Sequence, residues 1–286
     1  MVANTNDGSQ NAPALRVDAA WMMLKDFPAY HSGPRGDARA ILAAVKAAGY
    51  AGVQGGDPAL VRAAGLRYTT LGRINTPREA LPFANQAREE GADCATLHVG
   101  WGHETEADAR ALLDAVVDAS VVSGVPLYVE THRATLFQDM YRTVQLIEKC
   151  PEVRINGDFS HFYTGQELRY GDLDEKWNYM QPIFERVCFI HGRIGNSCSM
   201  QVDLGDGTGH LFVEHFREMW TRTFRSYKKK AKLGDYIIFC PELLSDEYNY
   251  ARMFRAPNGE LREECDRWEQ AKVLTQIARE CWDAVQ

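Results

Sequence analysis

Val153-Arg-Ile-Asn-Gly-Asp-Phe-Ser-His161 is the stretch of this sequence that decides the fold. Its short apolar segment runs into Asp158, and His161 follows three residues later. An apolar run that ends in an acid and an imidazole is typical of a buried strand that delivers ligands at its carboxyl end. The stretch therefore predicts one strand of a parallel sheet, with part of a functional site at its end.

Three further apolar runs have the same form. Pro126–Glu130 ends in a carboxylate, Val187–His191 ends in an imidazole, and Tyr236–Glu242 ends in a carboxylate again. The interval between one polar end and the next is long enough for one helix and one strand, and parallel strands joined in this way share a carboxyl-terminal rim. We therefore predict that four side chains meet on one rim: Glu130, Asp158, His191 and Glu242.

Three carboxylates and one imidazole that point at a common position suit a divalent cation that prefers oxygen ligands. We predict that all four side chains bind such an ion, and their types leave manganese, magnesium, cobalt and zinc open. One polar residue at a strand end is common, so the prediction depends on four in successive strands. Buried ion pairs of these acids with Arg154 or Arg193 are the structural alternative.

The order of elements predicts the whole fold. Eight strand-like runs alternate with eight amphipathic helices, without a linker or a fixed repeat, and this count closes a single (β/α)8 TIM barrel of the α/β class. An open doubly wound sheet would carry a Gly-rich fingerprint after its first strand, but the first predicted strand, Leu15–Leu24, leads into Lys25–Pro28. Residues 1–13 are polar and are expected to form a flexible N-terminal tail before a catalytic domain over residues 14–286.

Charge and composition exclude several classes of partner. The formal net charge of −7 and the pI of about 5.7 argue against a nucleic acid, because nucleic-acid binding needs a positive field. No apolar run approaches the roughly 18 residues that a membrane helix requires. The seven cysteines include no CxxC pair, which favours a reducing compartment. We expect a cytoplasmic protein that acts on a small molecule, and a homo-oligomer is left open.

Four more residues near the predicted rim are candidates for substrate contacts. Arg193 follows His191 by two positions and returns to the same face of an extended segment, so it stands beside the predicted metal or forms a salt bridge with an acid. Four roles are open for His161: it contacts the substrate, binds the metal as a further ligand, supports another metal ligand, or is an ordinary loop residue. His98 and Trp101 end the fourth strand, where the indole stacks on a sugar ring or packs in the core.

The pattern resembles the xylose isomerase-like TIM barrel superfamily, and in particular its sugar phosphate isomerase/epimerase branch. The likeness covers about residues 14–286. It depends on Glu at strand five, Asp-x-x-His at strand six, His-x-Arg at strand seven and Glu at strand eight. In this chain the matching residues are Glu130, Asp158 with His161, His191 with Arg193, and Glu242.

The resemblance implies a metal-dependent isomerase or epimerase that acts on a sugar or polyol. In such enzymes the two glutamates, here Glu130 and Glu242, bind the metal and also move a proton on opposite faces of an enediolate. A histidine and an arginine, here His161 and Arg193, hold the substrate oxygen. This division is chemically sound because a proton next to a carbonyl becomes acidic enough only when a cation and hydrogen-bond donors stabilise the enediolate oxygen.

Three alternatives remain open at this point. A lyase or dehydratase on a keto-sugar, keto-glycoside or keto-inositol would begin with the same proton abstraction. An endonuclease IV-like DNA-repair enzyme would need further histidines, but the third predicted strand, Leu66–Leu71, leads into Gly72–Asn75 and the loop after His191 has no Asp-x-His pair. A non-catalytic sugar-binding barrel would be indicated if the metal were absent.

Overall fold

The computed structural model of the protein describes residues 1–285, which form a closed barrel of eight parallel strands. The strands are β1 (Ala14–Ala20), β2 (Gly52–Gln54), β3 (Arg67–Ile74), β4 (Ala95–Val99), β5 (Leu127–Glu130), β6 (Arg154–Asn156), β7 (Val187–Gly192) and β8 (Asp235–Pro241). Each strand pairs in parallel with the next, and β8 pairs with β1 to close the ring. The prediction of a (β/α)8 TIM barrel is confirmed.

Helices surround the strands and connect them. In chain order they are α1 (Trp21–Leu24), α2 (Ala38–Ala47), α3 (Pro58–Ala63), α4 (Pro77–Glu89), α5 (Glu106–Ser123), α6 (Met140–Lys149), α7 (Ser160–Gly165), α8 (Leu173–Tyr179), α9 (Gln181–Phe184), α10 (Leu211–Lys228) and α11 (Arg267–Asp283). None of the helices within residues 1–285 is long and apolar enough to cross a membrane.

Local sequence signals set the ends of these helices. Thr76 and Glu79 form a capping box at the start of α4, where Pro77 occupies the first turn. The Thr105 side chain accepts a hydrogen bond from the Asp108 N–H at the start of α5. These caps satisfy backbone donors that have no partner inside the helix, so each helix begins directly after the loop that leaves the barrel rim.

The core lies inside the barrel and between the strands and the helices. Strands β7 and β8 are buried along their whole length, as expected for parallel strands that are covered on both faces. Trp220 of α10 packs edge-on against Phe239 of β8, with ring centroids 5.0 Å apart. Each such fully buried side chain contributes roughly 1.5–3 kcal/mol, so the strand ends stand on a rigid base.

The loop after β8 is the longest connection at the carboxyl-terminal rim. It contains a short 3₁₀ helix, Asp246–Tyr248, and an antiparallel hairpin of Met253–Arg255 with Leu261–Glu263. Tyr250 lies between these two elements and is half-buried above the barrel mouth. Long loops at this rim are where the active sites of TIM barrels are built.

Several element ends differ from the prediction. Strand β1 ends at Ala20, and the apolar run that follows forms the single helical turn α1 rather than more strand. The sequence pattern predicts one helix over 173–183, but the structure divides it into α8 and α9 at Met180. Pro182 has no N–H to donate to the carbonyl of Asn178, and it lies in the first turn of α9, where none is needed. The sequence pattern predicts a helix over 136–149, but α6 begins only at Met140, where the Asp139 side chain caps its first turn.

Residues 1–13, predicted to be a loose tail, contact the bottom of the barrel in the structure. Thr5–Asn6 pairs antiparallel with Asp235–Tyr236 of β8, and Val2 is buried. The Asn4 amide donates to the Asp235 carboxylate at 2.8 Å. The segment is held because it pairs with the start of β8 and its polar side chains form hydrogen bonds there. A pattern of apolar residues could not indicate these contacts. The assignment of 14–286 as one catalytic domain stays a prediction.

Candidate functional site

The four predicted ligands all lie at the carboxyl-terminal end of the barrel. Glu130 is the last residue of β5, Asp158 follows β6 by two residues, His191 lies near the end of β7, and Glu242 directly follows β8. All four are buried, with exposed fractions of 3%, 0%, 2% and 7% respectively. Burying three carboxylates so close together is costly unless cations compensate them.

The side chains converge around the His191 ring. Its Nδ1 lies 3.3 Å from Glu130 Oε2 and 3.6 Å from Glu242 Oε2. One ligand atom each from Glu130, Asp158 and His191 lies within 4.8 Å of the others. Two carboxylate oxygens and one imidazole nitrogen at this separation fit a divalent cation of the magnesium or manganese kind.

Two amide side chains hold the His191 ring in place. Gln54, the last residue of β2, has its Oε1 2.8 Å from His191 Nε2. Because an amide oxygen only accepts hydrogen bonds, this contact assigns a proton to Nε2 and turns Nδ1 towards the carboxylates. Asn156, at the end of β6, places its Nδ2 3.1 Å from Glu130 Oε2 and 3.1 Å from His191 Nδ1. Both amides thus orient ligands.

Arg193 lies inside the site and not at its edge. Its side chain is 1% exposed, and its Nη2 donates to Asp158 Oδ2 at 2.9 Å and to Glu242 Oε2. Its Nε and Nη1 have no partner among residues 1–285. The Tyr250 ring covers the guanidinium, with 4.4 Å between the Arg193 Cζ and the ring centroid. The salt bridge considered for Arg193 is present, with two acids as partners, while a place beside a metal stays a prediction.

The charges of the site are strongly coupled. Burial opposes ionisation of Asp158, but the Arg193 guanidinium outweighs it and holds the pKa of that carboxyl below its usual range. Burial also opposes a charge on His191, but the carboxylates of Glu242 and Glu130 raise its pKa to about 9. Burial opposes ionisation of Glu130 as well, but His191 and His98 keep the pKa of this carboxyl well below its ordinary value.

Three imidazoles form one wall of the site. The ring centroids of His98 and His132 are 4.1 Å apart, and those of His132 and His161 are 4.0 Å apart. His98 Nε2 lies 3.2 Å from Glu130 Oε1. Burial, followed by the neighbouring imidazoles, lowers the pKa of His132 to about 2, so this ring is neutral. The ring at the centre of the wall is therefore uncharged.

His161 and Trp101 differ in their surroundings. His161 is fully buried, neither of its ring nitrogens has a hydrogen-bond partner among residues 1–285, and its Nε2 lies 3.5 Å from Asp158 Oδ2. Trp101 is 53% exposed and lies under the guanidinium of Arg73, with 4.1 Å from Cζ to the ring centroid. The structure thus places Trp101 at the mouth of the barrel and not in the core.

All eight residues singled out in the sequence lie at this end of the barrel, and their roles in binding and catalysis stay predictions. Four residues of the same site were not predicted from the sequence: Gln54, Arg73, Asn156 and Tyr250. From the sequence, His132, two residues past Glu130, is expected to support the site or to lie at the surface, whereas the structure puts it at the centre of the imidazole wall. Gln54 and Asn156 do end their strands, as the predicted ligands do, so the position of an amide at a strand end was the available signal.

Comparison of the sequence with protein-family models and with curated proteins finds no match. Solved structures share the fold at low identity. A xylose isomerase-like TIM barrel protein from Mycobacterium smegmatis in complex with magnesium is 12% identical, with a TM-score of 0.55 over 96% of this chain and 99% of that one. A D-tagatose 3-epimerase-like protein is 12% identical, with a TM-score of 0.53 over 93% and 98%.

The probable 3-DHS dehydratase AsbF from Bacillus anthracis also has this architecture. It is 11% identical, with a TM-score of 0.53 over 79% of this chain and 92% of that one. Identities of this size establish the fold alone. The chain has the fold of the xylose isomerase-like TIM barrels.

Proposed function

We propose that the protein is a divalent-metal-dependent isomerase or epimerase of a sugar or polyol, working by proton abstraction next to a carbonyl. The observation that carries the proposal is the buried convergence of Glu130, Asp158 and His191, with Glu242 Oε2 3.6 Å from the same ring nitrogen that faces Glu130. Proteins of the same fold named D-tagatose 3-epimerase-like, or solved with magnesium, support this class.

The residues present suit a cation at this position. Glu130, Asp158, His191 and Glu242 would hold it, and Gln54 keeps the free nitrogen of His191 turned towards them. When bound, the cation supplies positive charge that polarises the substrate carbonyl. The proposal for the ion is magnesium or manganese, because the donor set is mostly oxygen.

The chain itself provides the proton transfer and the oxyanion donors. The low pKa of Glu130 makes it a better ligand than base, so we assign proton abstraction to Glu242. Glu130, which is ionised, would first take a proton from solvent and then return it to the opposite face of the enediolate. Nε and Nη1 of Arg193 and the unpartnered ring of His161 are free to donate to the substrate oxygens. Asp158 keeps Arg193 in place at 2.9 Å.

The test is hydrogen exchange in deuterated water. The protein is incubated with a panel of keto-sugars in the presence of Mg²⁺ or Mn²⁺, and deuterium at the carbon next to the carbonyl is followed by NMR. We expect exchange that stops in EDTA and in an Asp158→Asn variant, with a new sugar as product. Absence of exchange with every substrate, in protein shown to bind the metal, would remove the proposal.

A second candidate is a metal-dependent lyase or dehydratase that keeps the same residues. It is supported by a protein of this fold described as a probable 3-DHS dehydratase. The same first step ends in elimination when a leaving group lies beta to the carbonyl. In the exchange assay, loss of water and a new conjugated carbonyl absorbance would identify this reaction.

The cellular setting proposed is the cytoplasm. All seven cysteines are free, and five of them are buried. Free thiols, including the exposed Cys198, are typical of a reducing compartment. Mass spectrometry of protein isolated without reductant would contradict this if it showed disulfides.

A further inference from the structure

Arg73 holds a positive charge at the mouth of the site in a fixed position. It lies near the end of β3, opposite His98 of β4 in the strand pairing. Its Nη1 donates to the Gly100 carbonyl at 2.7 Å, its Nη2 lies 3.4 Å from His98 Nδ1, and its plane covers the Trp101 ring at 4.1 Å. A guanidinium held on three sides loses little further freedom when it binds a ligand.

No acidic side chain of residues 1–285 neutralises Arg73 within 4.0 Å. The Glu104 carboxylate instead accepts from the Trp101 and Gly102 N–H groups at 2.6 and 2.9 Å. The near oxygen of Glu130 faces His98. Burial lowers the pKa of Arg73, although the Glu130 and Glu104 carboxylates act in the opposite direction. By contrast, Arg16 contacts two acids, Asp18 and Asp93.

The same side of the mouth carries a second unpaired guanidinium. Arg133 is exposed, has no acid within 4.0 Å, and lies with its Cζ 5.5 Å from the centroid of the Tyr250 ring. Between the two arginines lies the imidazole wall, while the three carboxylates lie deeper, around His191. Beside the imidazole wall the rim therefore carries two guanidinium groups without an acid within 4.0 Å, above the buried carboxylates, although the whole chain has a net charge of −7.

We propose that Arg73 binds an oxyanion of the substrate, a carboxylate or a phosphate ester, so that the enzyme acts on an acidic polyhydroxy ketone and not on a neutral sugar. This rests on the proposed function. The guanidinium fork matches the two oxygens of a carboxylate or phosphate, whereas a neutral hydroxyl uses only one donor. Only the His98 ring separates Arg73 from Glu130, so one small molecule can reach both.

The orientation of His98 fits this role. Because the guanidinium only donates, its contact assigns the lone pair of His98 to Nδ1 and the proton to Nε2, which then donates to Glu130 Oε1 at 3.2 Å. This arrangement also opposes a second metal on His98, Glu130 and His132, although their ligand atoms lie within 4.8 Å of one another. A metal could bind Nε2 only if that nitrogen carried no proton. The proton of the neutral ring would then lie on Nδ1, which could no longer accept from Arg73. The rim is thus better suited to an anion than to a cation.

The test compares binding of three non-reacting probes with the same carbon chain: sorbitol, gluconate and sorbitol 6-phosphate. Titration calorimetry is carried out with Mg²⁺ at constant ionic strength. We expect at least one anionic probe to bind about tenfold to a hundredfold more tightly than sorbitol, the range for a charged hydrogen-bonded pair. Preference for gluconate identifies a carboxylate, and preference for the ester identifies a phosphate.

Variants assign the effect to Arg73. Arg73→Gln should remove the preference, and Arg73→Lys should keep part of it. Arg88→Gln, an equal change of charge in the last turn of α4, should leave it unchanged. The Arg73→Gln comparison also corrects for gluconate that binds the cation directly, since Arg73 is not among the predicted ligands. Circular dichroism and melting temperature show whether each variant is folded.

The outcomes separate this inference from the proposed function. Equal affinity for all three probes, or a preference that survives in folded Arg73→Gln, overturns the anion site. If the anion site is overturned in this way but keto-sugars still exchange deuterium, the proposed function stands without the anion site. If the preference depends on Arg73 but no keto-sugar, keto acid or keto-sugar phosphate exchanges deuterium, the anion site stands and the proposed function fails.

Discussion

Replacing Arg193 tests how the buried carboxylates are compensated. A single nitrogen of its guanidinium contacts both Asp158 and Glu242, and the side chain is 1% exposed. Arg193→Ala removes this cation and leaves two buried carboxylates without it. Removing one partner of a buried ion pair costs about 3–5 kcal/mol. With 286 residues the entropy of unfolding is about 0.6 kcal/mol/K, so the melting temperature should fall by about 5 to 8 °C in EDTA.

Magnesium should reduce this loss. If a divalent cation binds Asp158 and Glu242, it partly neutralises these carboxylates in Arg193→Ala. The difference in melting temperature between the variant and wild type should then shrink by at least half when Mg²⁺ is in excess. Differential scanning fluorimetry with Mg²⁺ and with EDTA measures both gaps. Arg88→Ala is the matched control, and its effect should stay within about 0.5 kcal/mol because Arg88 is exposed.

Arg193→Lys separates stability from chemistry. One ammonium group can replace the one nitrogen that contacts both acids, so the melting temperature should stay close to wild type. The variant loses the free Nε and Nη1 donors, and kcat should fall by an amount equivalent to about 2–4 kcal/mol, the range for removing one positioned donor. Wild-type stability of Arg193→Ala in EDTA would refute this account, and an equal loss with and without Mg²⁺ would show that no cation binds these acids.

Three further predictions concern other parts of the molecule. Glu242→Gln keeps a ligand oxygen but removes the proposed base, so turnover should fall about a hundredfold or more while metal content, measured by mass spectrometry, falls modestly; near-normal turnover with the metal retained would exclude Glu242 as the base. Gly192→Ala would place a Cβ 2.3 Å from the Phe239 ring, so it should lower stability by about 1–3 kcal/mol in denaturant titration, and an unchanged midpoint would contradict that packing. Burial lowers the pKa of His31 to about 4, below the value of about 6.5 expected when unfolded, so stability should fall as the pH drops from about 6.5 to 4, and His31→Gln should flatten this part of the profile; an equal slope in both proteins would assign the loss to other groups.

The four predicted ligands could be found because each ends an apolar run. Such a run must be a buried strand, and a charged residue directly after it must lie at the rim. The distances of 3.3 and 3.6 Å around His191 follow from this placement. The amides of Gln54 and Asn156 lie at equivalent positions, but amides at strand ends carry no charge that must be compensated. Their position at a strand end was therefore a weaker signal than a charged residue at the same place.

Arg73 was missed for a different reason. The third strand was predicted to end at Leu71, but β3 continues through Gly72 to Ile74. Glycine usually weakens a strand. Here a Cβ on Gly72 would lie 2.3 Å from the Phe83 ring, so the strand continues because this ring packs against the bare backbone. A contact between residues so far apart along the chain is tertiary information that local pattern does not contain.

The charge of the site supports a divalent cation independently of the fold. Three buried carboxylates face one permanent cation, Arg193, and one titratable group, His191, whose pKa is raised to about 9. At neutral pH the protonated imidazole and the guanidinium compensate only two of the three negative charges. A divalent cation that displaces the proton from His191 would bring the total to neutrality, and the contact of Gln54 with Nε2 already turns Nδ1 towards it. Cation binding should therefore release a proton, a change that titration calorimetry in buffers of different ionisation enthalpy would measure.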